Sequence, residues 1–147
     1  MTLTVAWIGK TKAAAIQSLT EEYLGRLRHY VKVEGIALKD EAALLKLCRN
    51  HNRNRPCRLV LIDPRGKQLS SEEWAQFLRQ HQERRPWPLL FAIGPANGFS
   101  EEVRKRADAA LSLGKLTLPH ELARVVVLEQ LYRALTILEG HPYHLGH

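Results

Sequence analysis

At 147 residues the chain suffices for one domain, one that buries roughly two thirds of its unfolded surface. Its 45% apolar and 25% charged residues exclude a disordered chain, and no apolar run nears the roughly 18 residues of a membrane span. A net charge of +7 favours a polyanionic partner without proving one, and the two cysteines, Cys48 and Cys57, form neither a C-x-x-C pair nor a metal cluster, so reduced thiols and no metal site are expected.

The elements follow one another as short β-type runs and longer helical patterns. Leu3 to Ile8 is a short apolar run closed by Lys10 and Lys12, which reads as a strand rather than a signal peptide, so a cytoplasmic location is expected. A helical stretch spans about Ala13 to Tyr30, Val31 to Ile36 alternates like a strand, and Glu41 to Asn50 is again helical. The polar run Asn50 to Pro56 reads as an exposed loop. Arg58 to Ile62 is a buried strand that the turn sequence Asp63-Pro64-Arg65-Gly66 is expected to stop. Ser70-Ser71-Glu72-Glu73 opens a helix with a capping residue and early acids. Leu89 to Ile93 is a second buried strand, ended by Gly94-Pro95-Ala96-Asn97-Gly98, and Ser100-Glu101-Glu102 starts the next helix. This repeated strand–helix order predicts a single α/β domain over residues 1–147, with a mainly parallel sheet flanked by helices. The final helix, about Pro119 to Glu139, carries apolar residues almost all the way round, among them Leu122, Val125, Leu128, Leu131, Leu135 and Leu138. Such a helix needs cover on more than one side, from a second copy of the chain or from a central place in a monomer; a homodimer is the expectation.

In open α/β sheets ligands bind beyond the carboxyl ends of strands. Three such ends stand out: Leu61 to Gly66, Ile93 to Gly98, and Leu113 to Pro119. Their exposed backbone groups can recognise an adenine edge and a ribose without a charged side chain, or they are plain strand-terminating turns. None matches a P-loop or the G-x-G-x-x-G dinucleotide fingerprint. At the C-terminus, Tyr143-His144 follows the rigid Pro142. The pair is either a tail of surface residues or a target-base site, with the ring stacking on a flipped-out base and His144 assisting proton removal.

In order, the segments ending Leu116-Thr117-Leu118-Pro119-His120 and Pro142-Tyr143-His144 resemble the bacterial large-subunit (23S) rRNA pseudouridine N3-methyltransferases. These are a branch of the SPOUT methyltransferases, and the resemblance covers roughly Leu59 to His144. It implies a sheet whose C-terminal part is threaded into a trefoil knot, against the general rule that chains are not knotted. It further implies S-adenosylmethionine held by backbone at Ile62, Gly94, Leu113, Gly114, Lys115, Leu116, Thr117 and Leu118. The substrate would be large-subunit rRNA on the assembled ribosome, and the homodimer partner would complete each active site. Two positions depart from the family. Pro95 stands where the Gly-rich loop has a second glycine, which removes an N–H, and Leu145 stands where a terminal Arg or Lys follows the histidine.

Other residues keep two readings. His120 is a helix-start residue or a catalytic one; Arg133 pairs with Glu129 or reaches phosphate; Arg124 is open. Lys46, Arg49, His51, Arg53, Arg55 and Arg58 form an acid-free basic run, and Arg84-Arg85 and Arg104-Lys105-Arg106 are further phosphate candidates. The rival functions are a SPOUT enzyme for another RNA such as tRNA, and a ribosome- or RNA-binding protein without activity.

Overall fold

The computed structural model describes residues 1–50, 57–84, 87–95 and 97–146. In chain order these form β1 (Thr2–Ile8), α1 (Ala14–Leu27), β2 (Lys32–Leu38), α2 (Glu41–Asn50), β3 (Arg58–Gln68) and α3 (Ser71–Arg84). They continue with β4 (Leu89–Ile93), α4 (Glu101–Arg106), β5 (Ala109–Ser112), α5 (His120–Glu139) and a closing 3-10 turn at Pro142–Gly146. The five described strands pair in the order β2-β1-β4-β3-β5, every pair parallel.

The central strands read as continuous apolar runs because helices cover both faces. Alternation sends Leu3, Val5, Leu89, Phe91 and Ile93 to the face packed by α1, α3 and α5. Ala6, Leu59, Leu61, Leu90 and Ala92 face the other way, onto Leu44 and Cys48 of α2 and Val103 of α4. Side chains cap the starts of α2, α3 and α4, whereas α1 and α5 begin without a side-chain cap. Ser70 Oγ accepts from Glu73 N (3.1 Å) while Glu73 Oε1 accepts from Ser70 N (2.8 Å), a reciprocal capping box. Asp40 caps α2 through Ala43 N (2.9 Å).

Two expectations change here. The turn expected at Asp63-Pro64-Arg65-Gly66 is strand: β3 runs on to Gln68, with an irregularity between Ile62 and Lys67 in its pairing with β5. β4 ends opposite Ile62, so the missing N–H of Pro64 forfeits no bond on that side. Gly66 then crosses β5 closely enough that a Cβ would lie 2.6 Å from the Ala110 carbonyl carbon. Composition signalled punctuation correctly, but it marks a bulge rather than a stop. The apolar circumference of α5, secondly, is covered within one chain over most of the helix, and Leu122 stays 41% exposed. Wedged between α1, α3 and the sheet, α5 buries Val127, Leu128, Leu131, Ala134 and Leu135 within one chain.

Candidate active site

The first functional feature is a cleft of about 860 Å³ beyond the carboxyl ends of β3, β4 and β5, a size in the range of small-molecule sites. Ile62 to Arg65 form one wall, Ile93 to Pro95 with Asn97 to Phe99 a second, and the segment from Ser112 through Leu118 the third. Pro119, His120 and Ala123 at the start of α5 close it. The three strand ends picked out from the sequence therefore meet. Ile62, Gly94, Leu113, Gly114, Leu116, Thr117 and Leu118 all line the cleft, and Lys115 is exposed outside it.

The walls are shaped locally. Gly114 has φ +121°, a conformation an L side chain rarely adopts. Ser112 Oγ donates to Gly114 O (3.0 Å) and accepts from Gly114 N (3.1 Å), closing the turn on itself. Ser112 went unnoticed in the sequence because one serine in a leucine-rich stretch carries no pattern. In the second wall Pro95 supplies no donor, and its carbonyl accepts from Gly98 N (2.9 Å). Asp63, 5% exposed, is the cleft's buried acid. It accepts from Arg65 N (2.9 Å) and pairs with Arg104 Nη2 (3.1 Å), and the Arg65 Nε lies 3.9 Å away. Arg104 Nε in turn donates to Phe99 O (3.1 Å), tying the Gly-rich wall to β3.

The second feature is the C-terminal tail. Tyr143 sits edge-on to Tyr132, with centroids 4.7 Å apart, and donates from its hydroxyl to Glu129 Oε2 (3.0 Å). Burial, then hydrogen bonds with Tyr23 and Glu129, push the Tyr143 phenol well above its ordinary range. Glu129 is also gripped by the Arg133 guanidinium, the i,i+4 pair that the sequence offered, and that guanidinium lies 5.3 Å from the Tyr143 ring centroid. His144 Nδ1 is buried with no hydrogen-bond partner among the described residues.

Tyr143 and His144 do not join the cleft of their own chain. The cleft takes Pro119, His120 and Ala123 from the start of α5, whereas Tyr143 packs on Glu129, Tyr132 and Arg133 further along the same helix. Six residues of helix carry the chain from Ala123 to Glu129, a rise of about 9 Å at 1.5 Å per residue, and neither Tyr143 nor His144 lines the cleft.

The remaining candidates divide. Arg124, 1% exposed, is a buried residue of the core edge: it donates to Thr11 Oγ1 (2.7 Å) and lies over the Trp7 ring at 4.1 Å, and burial lowers its pKa. Its neighbour Glu121 accepts from the backbone N–H groups of Lys12 and Ala13, so the first turn of α5 fastens the β1–α1 loop. The expected phosphate patch shrinks. Arg58 turns inward over Phe77 (4.6 Å) and towards His81, Arg104 serves Asp63, and Arg106 pairs with Asp108 (3.4 Å). Lys46, Arg49, Arg84 and Lys105 remain exposed, while His51, Arg53, Arg55 and Arg85 lie outside the described residues. Among the described residues no cluster of His, Cys, Asp and Glu suits a metal, and no helix is long and apolar enough to cross a membrane.

Comparison with known proteins places the chain in a family. A family described as predicted SPOUT methyltransferase matches residues 1–144. A ribosomal RNA large subunit methyltransferase H of Koribacter versatilis is 58% identical over 147 residues, the full length of both chains. The protein of the same name from Geobacter sulfurreducens is 40% identical over 152 residues, covering 98% of this chain and 99% of its own. Among solved structures, the SpoU methyltransferase AviRb of Streptomyces viridochromogenes, crystallised with AdoMet, superimposes with a TM-score of 0.56 at 14% identity. That match covers 88% of this chain and spans 56% of the AviRb chain, and it speaks for the fold.

Proposed function

This chain belongs to the SPOUT methyltransferase family, and on that premise we propose that it methylates N3 of a pseudouridine in large-subunit rRNA, using S-adenosylmethionine. The observation that carries the reading is the meeting of three separated strand ends on one cleft of nucleoside size, in a chain colinear with relatives named for large-subunit rRNA methylation. The cofactor fits the donor set: apolar walls at Ile93, Leu113 and Leu118 for a purine, and turn backbone at Ile62, Gly94 and Leu113 to Leu118 for its polar edges. When bound, it supplies a methyl group on a sulfonium, a good leaving group that needs no metal. The chain's own residues must hold the acceptor in line and receive the N3 proton. Tyr143 is held neutral by burial and by Glu129, suited to stack on and orient a base. His144, with its unpartnered Nδ1, is the proton acceptor.

Because neither Tyr143 nor His144 lines the cleft of its own chain, the working enzyme is a homodimer in which each tail serves the other subunit's cleft. Leu116 at the cleft, 82% exposed, and Leu145 in the tail, 77% exposed, are apolar surface for such a contact. Mixing two inactive chains tests this. A His144→Ala chain combined with a Leu118→Arg chain gives heterodimers with one intact site, worth about a quarter of wild-type activity in an equal mixture. Self-contained sites would give none.

The substrate is tested by methyl transfer to ribosomes carrying or lacking the target pseudouridine. Transfer to tRNA instead would move the enzyme to another branch of the family, and failure to bind S-adenosylmethionine would leave an inactive RNA-binding relative.

A further inference from the structure

Among the described residues lining the cleft, the one carboxylate and both guanidinium groups gather at a single corner, Asp63, Arg65 and Arg104. Asp63 is buried, and its two oxygens are committed: Oδ1 to the Arg65 N–H, Oδ2 to Arg104. Around that single negative charge are two guanidinium groups, Arg104 at 22% and Arg65 at 68% side-chain exposure. The corner therefore carries a net positive charge of one inside an otherwise neutral wall. Arg104 uses Nε on Phe99 O and Nη2 on Asp63, which fixes the plane of its guanidinium. A fixed fork beside a second, exposed one is the arrangement that takes a carboxylate through paired N–H groups. Structural pairing explains Arg104 by itself; it does not explain a second arginine, Arg65, on the same wall.

We infer that Asp63, Arg65 and Arg104 form a subsite for the amino-acid arm of the cofactor, in which Arg65 and Arg104 bind its carboxylate and Asp63 positions both. The inference rests on the cofactor reading above and adds the direction of binding: the purine lies towards Leu113 and Leu118, and the charged arm towards β3. Asp63 is a positioning residue here, and the two arginines are binding residues.

Calorimetry with three ligands isolates the arm. S-adenosylhomocysteine carries it whole, its decarboxylated analogue lacks only the carboxylate, and 5′-methylthioadenosine lacks the arm while keeping adenine, ribose and sulfur. Wild type is expected to prefer S-adenosylhomocysteine over both others by roughly 10- to 100-fold, the range of charge-assisted hydrogen bonds. Arg65→Ala leaves its backbone N–H on Asp63 in place and should cut that preference several-fold. Arg65→Ala with Arg104→Gln should bring it to about threefold or less, with 5′-methylthioadenosine binding unchanged. If Arg104→Gln also loses 5′-methylthioadenosine, the wall itself has moved and Arg65→Ala alone decides. An undiminished preference in Arg65→Ala, or an equal affinity of wild type for S-adenosylhomocysteine and its decarboxylated analogue, overturns the subsite. A wild type that binds none of the three overturns the cofactor reading, and the subsite with it.

Discussion

Gly66→Ala probes how the C-terminal strand is joined to the sheet. The new methyl carbon would stand 2.6 Å from the Ala110 carbonyl carbon and 2.7 Å from both its oxygen and the Leu111 nitrogen. All three are backbone atoms of β5, so no side chain can swing aside, and the strands must separate by several tenths of an ångström. Overpacking that a rotamer change can relieve costs about 1–3 kcal/mol, and with only backbone to move the upper end applies, about 3 kcal/mol. That is a change of roughly 150-fold in the folding equilibrium, and a fall in Tm of about 6–12 °C for a domain of this size. Thermal and urea unfolding followed by circular dichroism measure it. Gly25→Ala serves as control, since a methyl carbon added there meets nothing within 4 Å and the residue sits inside α1. There alanine should stabilise by about 0.5–1 kcal/mol, raising Tm by about 1–4 °C. Because β5 leads directly into Ser112 to Leu118, Gly66→Ala should also weaken S-adenosylhomocysteine binding. A Gly66→Ala protein as stable as wild type would refute the close approach and the β3–β5 register with it.

His144→Ala should lower kcat about 10²- to 10⁴-fold, the range for loss of a proton acceptor, without altering S-adenosylhomocysteine affinity measured by calorimetry. Gly114→Ala meets nothing within 4 Å but is strained at φ +121°, at a cost of about 1–3 kcal/mol; cofactor affinity should fall in calorimetry more than Tm does. Tyr143 should titrate above pH 10 in an absorbance titration of tyrosinate, and Tyr143→Leu should remove its share of the late phase while Tyr30, also raised by burial, keeps its own. With the folded pKa raised, its contribution to stability is complete below pH 10 and is lost as pH climbs through the folded value. Charge removal at Lys46, Arg49 and Lys105 should weaken ribosome binding and flatten its salt dependence, by about 0.7–0.9 in log–log slope for each phosphate no longer neutralised.

How much of this was legible beforehand follows from the range of the forces involved. Strand–helix alternation, the capping box at Ser70 and Glu73, and the apolar faces of β1, β3 and β4 are set by neighbours in the chain, so local pattern reveals them. The three strand ends that line the cleft were also legible, since glycine, proline and asparagine mark where a strand must change course. β5 was not named as a strand, because four residues, Ala-Ala-Leu-Ser, carry too little alternation; pairing with β3 across the chain makes it one. The same long-range pairing turned the expected stop at Asp63 to Gly66 into a bulge. Side-chain partners were decided by tertiary structure as well. Arg104 and Arg106 look identical in a basic run, yet one meets Asp63 in the cleft and the other Asp108 beside β3. Above all, sequence order put Leu116 to His120 and Pro142 to His144 in one signature, yet the first lines the cleft while Tyr143 packs on Glu129 and Tyr132 outside it. Composition and local pattern fix which groups are available; only the packed chain fixes which of them can touch, because distance in space is set by pairings that no single stretch of sequence contains.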